Sequence, residues 1–196
     1  MSRRLERLLA LTPLHLIIAV LVFTAADVAY LGAGDSFFPA GLLDETAHFL
    51  TMLLILWALG GRFLEQRVMV PALIATVLID ADHIPGYLGA DFLTKGTPRP
   101  YTHSLLTLAV ILVAALAWRR RRVTLLAIAL GVAVHFWRDL AENDSGVSLL
   151  WPWSRHPFTL SHSSYLAVMA VVVALDALRL RRASTATRAA AAGRRD

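Results

Sequence analysis

The residue types best suited to bind a divalent cation occur together in one short motif, Asp80-Ala81-Asp82-His83. The motif offers three oxygen or nitrogen ligands within four residues, and ligands of this kind suit Zn²⁺, Mn²⁺ and similar ions. The chain contains no cysteine, so thiolate ligands and disulfides are both excluded. A second interpretation stays open, in which the motif is a polar turn at a helix end that Pro85 and Gly86 terminate.

Two pairs of histidine and aspartate have the spacing that places both side chains on one helix face. They are His135 with Asp139, and Asp44 with His48. At positions i and i+4 the Cβ atoms lie about 6 Å apart, so one cation could bridge each pair. The alternatives are a His–Asp hydrogen bond between two buried groups, a surface pair of Asp139 with Arg138, and an N-cap role for Asp44.

A polar segment from Arg99 to Ser104 precedes an apolar run. His103 is a candidate ligand in this segment, and Arg99 is a candidate for binding phosphate or a developing negative charge. Ser104 and His162 are predicted to support the site without touching the metal. The alternative is a capped helix start beside an interfacial arginine. His156 is predicted to be a solvated loop residue.

These motifs lie at the ends of apolar segments that are long enough to cross a membrane. The chain is 57% hydrophobic and 17% charged, with a mean hydropathy of +0.60, whereas soluble domains are about 45–50% apolar and about 25% charged. Six segments approach the ~20 residues of a spanning helix: about 12–32, 45–61, 68–82, 103–118, 123–141 and 162–178. We therefore predict an all-α, polytopic membrane bundle of about six transmembrane helices in residues 1–182, followed by a disordered basic cytoplasmic tail, 183–196.

The basic residues predict the orientation of the bundle. With both termini in the cytoplasm, all but four of the Lys and Arg residues fall on the cytoplasmic side; the exceptions are Lys95, Arg99, Arg138 and Arg155. The net charge of +5 therefore reflects membrane topology and does not indicate nucleic-acid binding. The first segment also has the charge pattern of a signal peptide, but its apolar run extends to about Leu31, which favours an uncleaved helix.

Histidines and carboxylates collect at the opposite, extracytoplasmic ends of the same segments. Of the seven histidines, only His15 lies toward the cytoplasm. Asp80 follows Val68, and His135 follows Val123, by about 18 Å of helix. Because the hydrocarbon core is about 30 Å thick, we expect a site within the outer leaflet, where ionisable groups are costly unless they are paired, hydrated or bound to metal.

In order and spacing, these motifs resemble the YdjM-like family of inner-membrane proteins, for which a metal-dependent hydrolase activity is predicted. The matching elements are an early histidine, an Asp-x-Asp-His box, an Arg-x-x-Thr-His-Ser box, a His-x-x-x-Asp box and a Ser-Gly-Val-x-Leu-Leu-Trp-Pro segment. They comprise His48, Asp80, Asp82, His83, Arg99, Thr102, His103, Ser104, His135, Asp139 and residues 145–152. The resemblance covers about residues 42–155 and implies a helical membrane protein with that activity.

Three functions are compatible with the pattern, and the first is a metal-dependent hydrolase that acts on a lipid or lipid-linked phosphoester. One or two ions, Zn²⁺ or Mn²⁺, would activate a water; their predicted ligands are His48, Asp82, His83, His103, His135 and Asp139. Asp80 or Asp44 would act as general base or orient a ligand.

The second function is a metal-ion or proton-coupled transporter, which the apolar inner halves of the helices disfavour. The third is a non-catalytic module with a structural metal. Membrane lipid is the expected partner, and the oligomeric state stays open.

Overall fold

A computed structural model of the chain describes residues 9–32, 37–142 and 144–192. The helices in these residues are α1 (Pro13–Gly32), α2 (Phe37–Leu59), α3 (Gln66–Leu78), α4 (Ile84–Tyr87), α5 (Leu105–Ala117), α6 (Arg122–Glu142) and α7 (His162–Ala192). Tight 3-10 turns at Gly61–Leu64, Ile79–His83 and Arg119–Arg121 precede α3, α4 and α6. An isolated β-bridge joins Val147 to Phe158 in the loop before α7. The basic residues within 1–8 and 193–196, used above for topology, lie outside the described residues.

The helices have the length and surface of a membrane bundle. Five segments are long and apolar enough to cross a bilayer: Pro13–Tyr30, Phe38–Leu59, Gln66–Tyr87, Arg119–Glu142 and His162–Ala186. A shorter apolar helix, Leu105–Ala117, joins them, which confirms the prediction of about six membrane helices. Large apolar side chains face outward, with Leu21, Val113 and Leu116 each more than 60% exposed. Exposed apolar surface of this kind requires a partner or lipid to cover it.

Helix α2 lies at the centre of the bundle, where it contacts α1, α3, α6 and α7. The C-terminal half of α2 is buried and apolar, and other helices complete this core through Met69, Leu73 and Ala127. The buried residues of α2 in this layer are Met52, Leu53, Leu54, Leu56 and Trp57. Each buried side chain of this size contributes on the order of 1.5–3 kcal/mol in water-exposed proteins, although in lipid the gain comes mainly from close packing.

Helix α2 begins earlier than the sequence predicts. It starts at Phe37 and not at residue 45, which adds about two turns of helix above His48. The sequence does not indicate this start, because Gly41, Asp44 and Glu45 interrupt the apolar run. Pro39 does not prevent the helix, since proline is tolerated in the first turn. Asp44 therefore lies inside the helix, and its predicted N-cap role is wrong.

The chain also departs from the predicted boundaries after α3 and along α7. Helix α3 ends at Leu78, and Ile79–His83 form a 3-10 turn in place of a continued α-helix. In a 3-10 turn residues i and i+3 eclipse, so Asp80 and His83 share one side of the segment. Helix α7 continues past Ala183, where the tail was predicted to begin, and reaches Ala192; alanine and arginine favour helix.

Close packing of α3 against α6 depends on Gly131. A Cβ atom at this position would lie 2.3 Å from the Ala72 carbonyl oxygen and 3.0 Å from Thr76 Oγ1. We expect Gly131→Ala to lower the free energy of unfolding by about 1–3 kcal/mol, because overpacking must push the two helices apart. Unfolding by SDS in mixed micelles measures the effect. The matched control is Gly41→Ala, since a Cβ there meets nothing within 4 Å; equal stability of the two variants would contradict the packing argument.

Candidate metal centre

His135 is fixed in one orientation by the backbone of the neighbouring helix. Its Nδ1 lies 2.7 Å from the carbonyl oxygen of Thr76 on α3. A carbonyl can only accept, so Nδ1 carries a proton and donates it, which leaves the Nε2 lone pair of the neutral ring free. A histidine with this outer hydrogen bond is the usual form of a metal ligand. Both residues are fully buried.

Three ligand atoms, from α6, the 3-10 turn and the segment before α5, converge on the Nε2 atom of His135 and form a group of four with it. His103 Nε2 lies 2.9 Å from Asp80 Oδ1, 3.1 Å from His135 Nε2 and 3.4 Å from Asp139 Oδ2. His135 Nε2 lies 3.1 Å from Asp80 Oδ1 and 3.3 Å from Asp139 Oδ2. Ligands at 2.0–2.2 Å from a tetrahedral ion are separated by roughly 3.3–3.6 Å. The four atoms are therefore spaced almost as such an ion requires.

Asp44 and His48, the His–Asp pair on α2, lie beside these four ligand atoms. His48 Nε2 lies 3.2 Å from Asp44 Oδ1 and 3.3 Å from Asp139 Oδ1. The rings of His48 and His135 stack with centroids 3.9 Å apart. The i to i+4 spacing predicted from the sequence thus places both His–Asp pairs on faces that meet across α2 and α6.

Several atoms of the cluster lack the partners that burial demands. Within the described part of the chain, neither oxygen of Asp139 and neither ring nitrogen of His48 has a hydrogen-bond partner, and both residues are fully buried. The His135–Asp139 hydrogen bond considered above does not form, because the atoms are 3.3 Å apart but not aligned. The Arg99 guanidinium lies 3.3 Å from Asp139 Oδ1 without a hydrogen bond, and the other unsatisfied buried groups cost several kcal/mol unless a cation binds them. Nitrogen and oxygen donors in this arrangement fit a divalent transition metal.

The remaining members of the Asp80–His83 motif, both predicted ligands, form a group with Asp80 and His103 whose ligand atoms all lie within 4.8 Å of one another. His83 Nε2 lies 3.7 Å from Asp80 Oδ1 and 3.9 Å from Asp82 Oδ1. Asp82 accepts a hydrogen bond from Thr102, and its Oδ2 lies 3.3 Å from His103 Nδ1. Asp82 is thus placed to orient His103, whereas Asp80, predicted to act as general base, faces the ligand atoms directly.

Arg99 is buried beside the cluster and does not lie at the interface. It is 6% exposed, and its guanidinium lies 3.3 Å from Asp139 Oδ1. Burial lowers the pKa of Arg99, but the carboxylates of Asp139, Asp80 and Asp44 outweigh burial and raise it above its ordinary value. The partner of Asp139 is therefore Arg99, and the predicted surface pair of Asp139 with Arg138 is wrong.

Arg138 instead anchors a second buried network, which the sequence analysis missed. It donates to Asp27 on α1 at 2.9 Å, to Glu142 at 2.8 Å and to the Tyr165 hydroxyl on α7 at 3.2 Å. His162 belongs to this network, since its Nε2 lies 3.0 Å from Asp27 Oδ2. The i to i+4 spacing of Arg138 and Glu142 was a visible signal; the contribution of Asp27 from a distant helix was not.

Two further predicted residues stay outside the cluster. Ser104 is buried at the N-cap of α5, and its hydroxyl has no hydrogen-bond partner among the described residues. His156 is exposed in the loop before α7, as predicted. Glu45 was not among the predicted site residues, yet its Oε2 is buried without a hydrogen-bond partner in the described structure, and it faces the opening described next.

A cavity of about 440 Å³ opens directly onto the cluster. Asp44, Glu45, Asp80, His83 and Arg99 form its polar wall. Its apolar wall comes from α1, α2 and α4 and includes Tyr30, Phe38, Leu42, Ile84 and Tyr87. The cluster can therefore be reached through an opening that has one polar and one apolar wall.

A second cavity, an apolar groove of about 630 Å³, lies on the other side of the 3-10 turn. It is lined by α3, α5 and α6 through residues such as Ile74, Ile111 and Ile128, and its polar end is formed by Asp82 and Thr102. The two cavities are separated by the segment Ile79–His83, with Asp80 on one side and Asp82 on the other.

Comparisons with known proteins identify the family. No curated protein and no solved structure matches the chain. A family model described as YdjM inner membrane protein matches residues 43–193, a range that contains every candidate ligand of the cluster and all the sequence boxes that resemble the family. The chain belongs to the YdjM inner membrane protein family.

Proposed function

We propose that this protein is a membrane-embedded, metal-dependent hydrolase that acts on a lipid or lipid-linked phosphoester. His103, His135, Asp80 and Asp139 would hold a divalent ion such as Zn²⁺ or Mn²⁺, and His48 with Asp44 would complete the centre. A bound ion of this kind lowers the pKa of a coordinated water from 15.7 to about 7, which supplies a hydroxide nucleophile at neutral pH.

The observation that carries this proposal is the cavity at the cluster. A structural metal is enclosed by its protein ligands, whereas a catalytic one keeps an open position. Here the cavity of about 440 Å³ is bordered by Asp80 and Asp44 from the cluster. A non-catalytic module with a structural metal has no need of such an opening, so the enzyme is favoured.

The cavity wall offers groups for two further steps of phosphoester hydrolysis, which are binding of the phosphate and acceptance of a proton. Arg99, charged and buried, lines the cavity and can bind a phosphate oxygen with its planar donors. Asp80 and Asp44 are directed at histidine nitrogens, so neither is well placed to accept a proton from substrate or water. Glu45 lines the same cavity with a buried oxygen that has no hydrogen-bond partner among the described residues. We assign the general-base role to Glu45.

The apolar groove supports a substrate with a long hydrocarbon chain. Its outer rim includes Ile74 and Leu78, which are 50% and 62% exposed and face the bilayer. Its polar end, at Asp82 and Thr102, adjoins His103. A chain held in the groove would bring its head group to the metal centre, as a lipid or lipid-linked substrate requires.

Transport is less favoured because the cluster has an apolar layer beneath it. The buried residues of α2 below His48 are almost all apolar, with Thr51 as the exception. A buried carboxylate, Asp176, lies further along α7, but side chains such as Met52, Leu54 and Trp57 occupy the core between. A coupled transporter needs polar groups across the full depth of the membrane.

Family membership and the apolar helices make the chain a multi-pass inner-membrane protein. The arginine distribution supports an orientation with cytoplasmic termini. In that orientation the cluster would face the extracytoplasmic side, and the lipid substrate would come from the outer leaflet.

The test is hydrolysis of phospholipids and polyprenyl phosphate esters by purified protein loaded with Zn²⁺ or Mn²⁺. We expect release of phosphate or head group that stops on chelation, returns on metal addition and is faster for long-chain than for short-chain substrates. Glu45→Gln should lower kcat by about 10²- to 10⁴-fold with unchanged metal content. The control is Glu65→Gln, whose side chain is 44% exposed. Activity that ignores chelation would exclude the mechanism, and full activity of Glu45→Gln would exclude the base.

A further inference from the structure

The buried ligands separate into two sets on the two oxygens of one carboxylate. Asp139 Oδ2 lies 3.3 Å from His135 Nε2 and 3.4 Å from His103 Nε2. Asp139 Oδ1 lies 3.3 Å from His48 Nε2 and 3.3 Å from the Arg99 guanidinium. The two oxygens of a carboxylate point in different directions, so each set of ligand atoms would bind an ion at its own position. Asp139 therefore has the position of a bridging ligand.

The second set has the properties of a metal site of its own. His48 Nε2 lies between Asp44 Oδ1 at 3.2 Å and Asp139 Oδ1 at 3.3 Å, and none of these three atoms has a hydrogen-bond partner in the described structure. Ligand atoms of Asp44, His48 and Asp80 also lie within 4.8 Å of one another. Asp80 can thus contribute to both sets, as Asp139 does.

The orientations of the histidine rings also support two separate ion positions. His48 and His135 stack with centroids 3.9 Å apart and an interplanar angle of 14°. The planes of nearly parallel, stacked rings do not meet at a nearby point, whereas the planes of His103 and His135 cross at 63° and their Nε2 atoms lie 3.1 Å apart. Ligand atoms of His48, His135 and Asp139 lie within 4.8 Å of one another, but two imidazoles stacked face to face are poorly placed to share one ion, because each metal–nitrogen bond prefers the plane of its ring.

Charge balance points the same way. The cluster contains four aspartates, Asp44, Asp80, Asp82 and Asp139, and one buried arginine, Arg99. With one divalent ion the set keeps an excess of negative charge, which repels a phosphoester. With two divalent ions the set is neutral when the carboxylate of Glu45 on the cavity wall is counted as well, so this repulsion is removed.

We infer that the centre holds two divalent ions bridged by Asp139, one bound by His103 and His135 and the other by His48 and Asp44. The inference rests on the proposed metal-dependent function and specifies its site. Two neighbouring ions stabilise the attacking and the leaving oxygen of an in-line displacement together, which suits phosphoester substrates.

The test is metal stoichiometry combined with electron paramagnetic resonance of the Mn²⁺-loaded protein. Wild type should bind two ions per chain and show an exchange-coupled Mn²⁺ spectrum. His48→Ala should bind one ion per chain and show an uncoupled spectrum, and His48→Gln should reproduce this in case alanine impairs folding. The control is His156→Ala, at an exposed position, which should keep both ions.

The outcomes separate this inference from the proposed function. An uncoupled spectrum and a single ion in the wild type would overturn the two-ion centre, even if hydrolysis were observed. Two coupled ions with no hydrolysis of any phosphoester would leave the two-ion centre intact and remove the proposed activity. Unchanged stoichiometry in both His48 variants would overturn the assignment of the second site.

Discussion

His135→Ala and His103→Ala are expected to lose the ion that these two residues bind. Each substitution removes a nitrogen that lies within 3.4 Å of two or more other ligand atoms. Loss of an outer-shell partner typically weakens metal binding by 10- to 100-fold, so removal of a ligand itself should exceed about 100-fold. Mass spectrometry of the purified proteins, with competition against a chelator of known affinity, measures the change.

A matched control shows whether the loss is specific to the centre. His156→Ala removes an exposed histidine and should retain the full metal content. Because His135→Ala also leaves the Thr76 carbonyl without its donor, the less intrusive His103→Asn serves as a second variant. Unchanged metal content in both His103→Asn and His135→Ala would refute the ligand assignment.

The largest loss of stability is expected from Arg138→Leu. Arg138 is fully buried, and its removal leaves the carboxylates of Asp27 and Glu142 without a cation inside the bundle. Breaking a buried ion pair by removing one partner costs about 3–5 kcal/mol. Unfolding by SDS in mixed micelles reports the change, and Arg138→Lys should recover part of it.

The comparison is Arg67→Leu at the surface. Arg67 pairs with Glu65 at 2.6 Å, but the two side chains are 68% and 44% exposed. Exposed pairs contribute about 0–1 kcal/mol, so this variant should be close to wild type. A loss for Arg138→Leu no greater than that for Arg67→Leu would show that the buried network does not stabilise the bundle.

Features that depend on a single helix could be predicted from the sequence. The apolar runs predicted about six membrane helices, because spanning length is a local property. The spacing of His135 with Asp139 and of Asp44 with His48 predicted shared faces in the same way. The convergence of both pairs on one centre was an expectation from topology, and the distances between His48, Asp139 and His135 are consistent with it.

Features that depend on contacts between helices could not be predicted. The donor partner of His135 is a backbone carbonyl on α3, which no side-chain pattern reveals. Arg99 and Arg138 are both buried beside carboxylates that the sequence did not indicate as their partners, because burial and partners are set by how α1, α6 and the loop before α5 meet. Glu45 became a site candidate only once α2 was seen to start at Phe37, which places Glu45 inside the bundle.

The apolar layer below His48 has a consequence for the energetics of the cell. A centre that exchanges water and protons in the outer half of a membrane protein could let protons leak inward. Each charge that crosses dissipates about 2.3 kcal/mol per 100 mV of membrane potential. Met52, Leu54, Leu56 and Trp57 are at most 1% exposed and form an apolar barrier along α2. The proposed hydrolysis would then take place at one face of the bundle while the proton-motive force across it is preserved.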